Sequence, residues 1–238
     1  MNAAAPATGA HVAGLRDPAR LARLLQLCSP SLPVGTYAFS QGLEAAVELC
    51  WVTDEAALRD WCGTLLHGSV ARVDLPLFAR CFQAWALDDA PSVRRLSAGL
   101  LARRETAELR REECERGQSL ARLLRDLGHA RAAPWAGDAD ASFCALFALA
   151  AVEWSVPVDE AALGYAWTWL EGAVIAGVKL IPLGQVAGQR LLLELGAQVT
   201  AAVAIGLALD DARIGASAPG LAIASCHHER QHTRLFKS

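Results

Sequence analysis

The segment CHHERQHTRLFKS, residues 226 to 238, holds the densest group of side chains that could do chemistry. Its His228, Glu229 and His232 form an HExxH pattern, in which two imidazoles one helical turn apart bind zinc and the glutamate acts as general base. A zinc hydrolase also needs a third protein ligand, and no residue after His232 is of a usual ligand type. A hydrolase is therefore an alternative hypothesis, and a chance match to a short pattern is favoured over it.

The same segment could bind a metal ion in another way. Cys226, His228 and His232 supply a thiol and two imidazoles, and such ligands suit Ni²⁺, Zn²⁺ or Cu²⁺. Because only some of these side chains can share one helical face, we expect at most a weak site. The competing interpretation is a basic tail in which Arg230 and Arg234 contact carboxylates of a partner protein.

The rest of the chain carries no pattern typical of a nucleotide or ester site. It contains no GxGxxG, GxxxxGK[ST] or GxSxG sequence. The net charge of −3 argues against nucleic-acid binding, because phosphate recognition normally needs a cationic face. Every apolar stretch of about 18 residues is interrupted by a charge, a glycine or a proline, which argues against a membrane span.

The elements that must position these residues are helices. Alanine, leucine and arginine dominate the composition, and we find no long alternation of apolar and polar residues. We predict an all-α fold, a single compact domain of roughly eight to ten helices. Residues 1–16 are expected to be a disordered leader, residues 17–225 the helical domain, and residues 226–238 (the tail) a docking segment. Seven cysteines without a CxxC pair suit a reducing cytoplasm.

Several helices can be placed by their caps and their apolar spacing. Asp17 before Pro18 predicts a helix start, and residues 75–87 and 158–180 are expected to be helical. Residues 92–131 predict two amphipathic helices with a solvated, ion-paired face. Residues 197–209 are expected to form a helix separate from the apolar segment that follows Pro182.

Two loops have unusual composition. SPSLPVGTYAFSQGLE, residues 29 to 44, brackets a turn with prolines and glycines before a helix, and VKLIPLGQVAGQR spans residues 178 to 190. Each is compatible with a rigid turn and helix cap. The glycines Gly164, Gly172 and Gly177 of the intervening helix are expected at close helix–helix contacts, since each costs about 1 kcal/mol relative to alanine in an exposed helix.

These stretches together resemble the UreF family of urease accessory proteins. The resemblance is carried by LCSPSLPVGTYAFSQGLEAAVE at 27 to 48, AVIAGVKLIPLGQVAGQRLL at 173 to 192, HERQHTRLFKS at 228 to 238, and an intervening segment rich in arginine and glutamate. It implies an all-α protein without enzymatic activity. Such a protein acts as a homodimer that bridges UreD (also called UreH) and the GTPase UreG and supports Ni²⁺ insertion into apo-urease. The resemblance further implies that no cofactor is bound tightly and that the complex handles nickel in transit.

The resemblance also implies partner-binding positions. They are Pro33, Gly35, Ser40, Gly42, Glu44, Lys179, Pro182, Gly184, Gln185, Gln189, Arg190, His228, Glu229, Arg234, Leu235 and Phe236. From their residue types alone we add Gln41, in the first turn after the loop, and Arg230, which could contact partner carboxylates. We expect Leu235 and Phe236 to be buried in a partner groove, where aromatic and arginine side chains often dominate binding. Arg190 and Arg230 are candidates for an arginine that acts on the partner GTPase.

The sequence departs from the family pattern at five positions. Thr36 and Tyr37 replace a small residue and phenylalanine, Cys226 and His227 replace methionine and arginine, and His232 replaces tyrosine. The second histidine of HExxH is thus no part of the family pattern, which weakens both the zinc hydrolase and a metal site shared by the family.

Overall fold

Helices make up nearly all the regular structure of the chain. The computed structural model describes residues 17–215 and 218–238, so the leader expected at residues 1–16 lies outside the described residues. Within the described residues there are ten α-helices and no strand, which confirms the all-α prediction. The helices are α1 Pro18–Leu27, α2 Leu43–Glu48, α3 Glu55–Leu65, α4 Leu75–Ala86, α5 Ala90–Leu101, α6 Ala107–Asp126, α7 Phe143–Glu153, α8 Val158–Leu180, α9 Gln185–Ala208 and α10 Pro219–His228.

Local sequence accounts for several helix ends. The side chain of Asp17 accepts hydrogen bonds from the backbone of Ala19 and Arg20, which caps α1 as predicted. Helix α8 begins directly after Pro157 and ends at Leu180, as the sequence predicts. The predicted boundary between residues 225 and 226 falls inside α10, so the tail begins within a helix.

The core is organised around α7. All residues of α7 from Phe143 to Ala151 are buried, and α4, α6 and α8 pack around this helix. The ring centroids of Phe147 and Tyr165 lie 5.5 Å apart, and those of Phe78 and Tyr165 lie 5.3 Å apart. Burial of an aromatic or leucine side chain of this kind contributes about 1.5–3 kcal/mol. An apolar helix without a polar face therefore holds the surrounding helices in place.

Two of the predicted helix glycines lie at close contacts. A Cβ added to Gly164 would lie 2.7 Å from the sulfur of Cys28 in the turn after α1. A Cβ added to Gly177 would overlap the side chain of Leu58 in α3. The explanation of these glycines by close helix packing is thus confirmed.

Helix α9 differs from the prediction. We expected a break before residue 197, but Gln185–Ala208 is one helix of 24 residues. Gly196, directly before the expected second helix, packs against Trp167, and a Cβ there would lie 3.0 Å from the indole ring. Close packing against α8 thus offsets the weak helix propensity of glycine.

By length and composition, α9 is apolar enough to cross a membrane. Its most apolar window has a mean hydropathy of 1.8, and 39% of that window is buried inside the chain. A long helix in a protein interior meets the same two criteria, so length and composition do not by themselves assign α9 to a membrane.

Helices α3 and α4 form one continuous rod. The chain between them, Leu66–Asp74, is π-helical and continues the helix without a break. Insertions of π-helix widen the turn and reorient the side chains that follow. Here the last π-helical residue, Asp74, is buried. Its carboxylate contacts the guanidinium of Arg104.

Candidate functional site: a polar junction beneath the tail

The loop at residues 33–44, the end of α8 and the tail meet on one side of the molecule. The ammonium nitrogen of Lys179 lies 5.9 Å from the ring centroid of Tyr37 and 5.7 Å from that of Phe236. One cation thus links three segments that are far apart in the sequence. We call the region where they meet the junction. Its residues are Ser40, Gln41, Glu44, Glu108, Glu112, Lys179, His228, Arg234, Phe236 and Ser238.

The carboxylate of Glu44 is the centre of the junction. Its Oε1 accepts a hydrogen bond of 2.7 Å from the backbone nitrogen of Leu235, and its Oε2 accepts one of 2.9 Å from Phe236. The same Oε2 lies 3.2 Å from Nε2 of His228. Hydrogen bonds to an ionised group are stronger than neutral ones, so Glu44 ties the tail to the start of α2.

His228 is fully buried between two carboxylates. Its Nδ1 lies 2.7 Å from Oε2 of Glu108, and its Nε2 faces Glu44. The other oxygen of Glu108 accepts a hydrogen bond of 2.6 Å from Arg234. Because both ring nitrogens already face carboxylate oxygens, neither is directed toward a metal site shared with Cys226 and His232.

The structure corrects the two metal hypotheses for the tail. Helix α10 ends at His228, with Glu229 as its cap residue, so His228 and His232 do not share a helical face. Cys226 and His232 are exposed whereas His228 is buried. Within residues 17–215 and 218–238, no group of three or more His, Cys, Asp or Glu side chains is arranged to hold a metal ion. The geometry that an HExxH zinc site requires is therefore not formed here.

Glu229 has a structural contact instead. Its Oε1 accepts a hydrogen bond of 3.2 Å from the backbone nitrogen of Glu108, in the first turn of α6. A carboxylate is stabilised at this position by the unpaired N–H groups of a helix N-terminus.

The end of the tail runs beside the loop at residues 33–44. The backbone nitrogen of Lys237 donates a 2.8 Å hydrogen bond to the carbonyl of Ala38, and that of Ser40 donates a 2.6 Å bond to Ser238. Phe236 and Ser238 are both buried. Phe236 is thus buried in the core of its own chain, which corrects the expectation that it enters a partner's groove. Leu235 remains 63% exposed.

Two left-handed residues bring the loop close to α10. Gln41 has a φ of 53° and Gly42 a φ of 75°. A Cβ on Gly42 would lie 2.9 Å from the backbone nitrogen of Ser225. Both the positive φ and this close contact therefore favour glycine at position 42. The side-chain amide of Gln41 joins the indole N–H of Trp169, at 2.8 Å, to Oε1 of Glu112, also at 2.8 Å. This bridge holds a strained residue in place.

A buried charged cluster lies beneath the junction. Arg104 contacts both Asp74 and Glu113, and Nη1 of Arg116 lies 3.2 Å from Oε1 of Glu112. Burial raises the pKa of Glu112 above its ordinary value of 4.5, and Arg116 opposes that rise. The prediction that residues 92–131 have a solvated charged face is therefore wrong for Glu112, Glu113 and Arg116, which are buried.

The sequence contains a signal for this cluster. Glu113 and Arg116 lie at helical spacing from Leu109, Leu120 and Leu124, which are buried on the same side of α6. Charged residues inside an apolar stripe indicate buried ion pairs. The guanidinium of Arg116 also lies 3.9 Å from the ring centroid of Phe143.

Two small cavities adjoin the cluster. The first, of about 30 Å³, is lined by Asp74 and Glu113 among others; the second, of about 20 Å³, is lined by Phe39 and Ser40. Gln41, Glu112, Arg116 and Trp169 border both cavities. Each is large enough for one or two water molecules at about 10–15 Å³ each. Nε of Arg116 is buried without a hydrogen-bond partner among the described residues. Buried polar groups of this kind commonly hydrogen-bond to a water molecule.

The remaining predicted positions do not join the junction. Pro33 and Gly35 are exposed in the first loop, and Arg230 is exposed in the tail. The exposed residues Pro182, Gly184, Gln185, Gln189 and Arg190 form a separate surface at the start of α9. There, Nη1 of Arg190 lies 3.1 Å from the carboxylate of Glu55.

Comparisons with known proteins agree on one family. The UreF family model matches residues 52–196. A urease accessory protein UreF from Alkalilimnicola ehrlichii is 50% identical over 216 residues, which are 91% of this chain and 95% of that protein. One from Azoarcus sp. is 50% identical over 223 residues, covering 92% and 95%. One from Pseudomonas putida is 49% identical over 218 residues, covering 92% and 97%.

Proposed function

The chain belongs to the UreF family of urease accessory proteins, and from that premise we propose that it bridges UreD (UreH) and the GTPase UreG during the GTP-dependent insertion of Ni²⁺ into apo-urease. We propose a non-catalytic role, in the cytoplasm, that modulates the partner GTPase. The observation that carries the proposal is the junction. It holds the tail in a defined position, so the tail's outer side chains form a preorganised surface.

The partner surface for UreD is assigned to the outer side of the tail. Leu235, Arg230 and Thr233 are exposed there, while Glu44 and His228 fix the backbone from below. Leucine and arginine side chains on a rigid backbone lose little conformational entropy on binding. Phe236 contributes by anchoring the tail rather than by entering the partner.

A homodimer is supported by the exposed face of α9. Val186 is 73% exposed and Leu193 is 81% exposed, and small residues follow them along the same face at residues 197, 201, 204 and 208. An apolar stripe with small residues permits a close approach of a second helix, and exposed apolar patches commonly mark interfaces. Arg190 and Gln189 border this stripe at its start.

Nickel is proposed to be cargo that the assembly passes on, with no ion held tightly by this chain. The two cavities beside Glu112 support a hydrated interior path, because a carboxylate and buried water suit a cation in transit. An effect on UreG is assigned to Arg190 or Arg230. Arg190 would first have to leave Glu55, whereas Arg230 has no ion pair among the described residues.

The test is reconstitution with UreD, UreG and apo-urease. The full chain should co-purify with UreD and UreG and should support urease activation with Ni²⁺ and GTP. Leu235→Asp should weaken UreD binding at least about tenfold, since loss of one buried leucine costs about 1.5–3 kcal/mol. Leu127→Asp is the matched control, because Leu127 is also exposed but lies at the end of α6. Failure of the unaltered chain to bind UreD would refute the proposal.

A further inference from the structure

An open groove lies between α3 and the start of α10, and no residue of the tail or of α9 lines it. Its volume is about 410 Å³. Trp51 and Trp61 line it, with Asp60 between them in the sequence, and Pro219 and Gly220 form the opposite side. The junction residues do not border this groove, and nothing in the proposed bridging role uses it.

The two indole rings and the carboxylate have the exposure expected of a binding site. Trp51 is 44% exposed, and Trp61 is partly exposed. Asp60 is exposed and forms no ion pair among the described residues, whereas its neighbour Arg59 lies 2.9 Å from Glu194. A large aromatic surface beside an unpaired carboxylate is complementary to a cation that also has an apolar face.

The floor of the groove is rigid. Leu65 and Leu221 line it and pack with Leu109 in a small apolar cluster that Trp61 also contacts. The ring of Trp61 lies 3.8 Å from the position that a Cβ on Gly220 would take, so the indole borders the backbone at the start of α10. Trp61 is therefore packed against this floor before any ligand arrives, which lowers the entropic cost of ordering its side chain on binding.

We propose that this groove binds an arginine side chain presented by a protein partner. A planar guanidinium stacks on indole rings and forms a charge-assisted bond to a carboxylate at the same time. The ammonium of lysine is more strongly hydrated and lacks the planar surface. Tryptophan and arginine are also the residue types that most often dominate protein interfaces. The first test below does not depend on the proposed bridging role, whereas the second rests on it, because it seeks the arginine on the proteins of the assembled complex.

The first test uses the isolated full-length chain and a small probe. The indole N–H signals in ¹⁵N-correlated NMR spectra, assigned with Trp51→Phe and Trp61→Phe, are followed during titration with N-acetyl-arginine methylamide. The matched probe is N-acetyl-citrulline methylamide, which has the same shape without the charge. We expect saturable shifts at Trp51 and Trp61 with arginine, and at least about fivefold weaker binding of citrulline.

Asp60→Asn should reduce the arginine affinity by about the same factor. Asp126→Asn, at the exposed end of α6, is the control for a change of charge elsewhere. Equal responses to arginine and citrulline, or an unchanged affinity in Asp60→Asn, would overturn the proposal. All variants are checked for an unchanged fold by their spectra.

The second test identifies the partner segment. A benzophenone amino acid replaces Trp51 in the full chain, and cross-linked peptides are sequenced from the assembled complex by mass spectrometry. Cross-links to a partner segment that contains arginine support the proposal. Cross-links only to segments without arginine, or none at all while the same group at Leu235 cross-links, contradict it. The reaction at Leu235 reports separately on the proposed bridging role.

Discussion

Oε2 of Glu44 lies 2.9 Å from the backbone nitrogen of Phe236, a residue 192 positions later in the chain. Oε1 of the same carboxylate accepts from Leu235. A single side chain at the start of α2 thus satisfies two consecutive backbone donors of the tail. This arrangement makes Glu44 a structural anchor, and the orientation of Leu235 therefore depends on a residue at the start of α2.

Replacement of Glu44 by glutamine is expected to loosen the tail. Glutamine has one acceptor oxygen, so either orientation of its amide leaves a backbone N–H of Leu235 or Phe236 facing an NH₂ group. The expected cost is about 1–3 kcal/mol. Hydrogen exchange at these two amides should accelerate about tenfold or more. Glu160→Gln, at a half-buried ion-pair partner of Arg20, is the control; equal exchange in both variants would count against the anchor.

The sequence could predict α8 and the first cap because their signals are local. Pro157 followed by Asp159 and Glu160 marks the start of α8, and Asp17 marks that of α1. The continuity of α9 could not be predicted in this way, because the contact of Gly196 with Trp167 of α8 is not visible in the local sequence. Tertiary packing overrode local propensity there.

The junction was only partly accessible to sequence reasoning. The resemblance placed Glu44, Lys179 and Phe236 among the candidate functional residues, but it predicted that they contact partner proteins. That Phe236 contacts both Glu44 and Lys179 depends on pairings between residues far apart in the sequence, which spacing cannot reveal. Residues such as Arg116 and Glu113 were read as solvated because charged residues are rarely buried. Their place within an apolar stripe was the available signal.

Gly117 is expected to be intolerant of alanine. A Cβ at this position in α6 would overlap the carbonyl oxygen of Ala141, and a backbone group cannot move aside as a flexible side chain can. Gly117→Ala should lower the free energy of unfolding by about 3 kcal/mol or more. Gly68→Ala is the control, because no atom lies within 4 Å of its added Cβ. Urea denaturation measures both; similar stabilities would contradict the close contact.

Glu112 is expected to make stability depend on pH. Burial raises its pKa in the folded state above 4.5, so the folded chain binds this proton more tightly than the unfolded chain. Its stabilising contribution is complete below pH 4.5 and is lost as pH rises through the raised folded value. Glutamine mimics the protonated form, since its oxygen can accept from Gln41 and Arg116 and its NH₂ can donate to Ser238.

The stability of Glu112→Gln relative to the unaltered chain should therefore increase with pH from about 4.5 upward and then level off. Urea denaturation at a series of pH values measures the difference in unfolding free energy. Glu105→Gln serves as the comparison for an exposed carboxyl. If the difference in unfolding free energy between Glu112→Gln and the unaltered chain stays constant with pH, the Glu112 carboxyl is not the source of the pH dependence.

Leu193→Glu is expected to disrupt the proposed homodimer. Leu193 is 81% exposed on the apolar face of α9, and a two-fold interface would bury it twice. Loss of two buried leucines, at about 1.5–3 kcal/mol each, should raise the dimer dissociation constant at least about 100-fold. Leu87→Glu, at a residue 73% exposed at the end of α4, introduces the same charge elsewhere. Light scattering over a concentration series gives both constants; a Leu193→Glu chain that dimerises as well as Leu87→Glu would place the interface on another face.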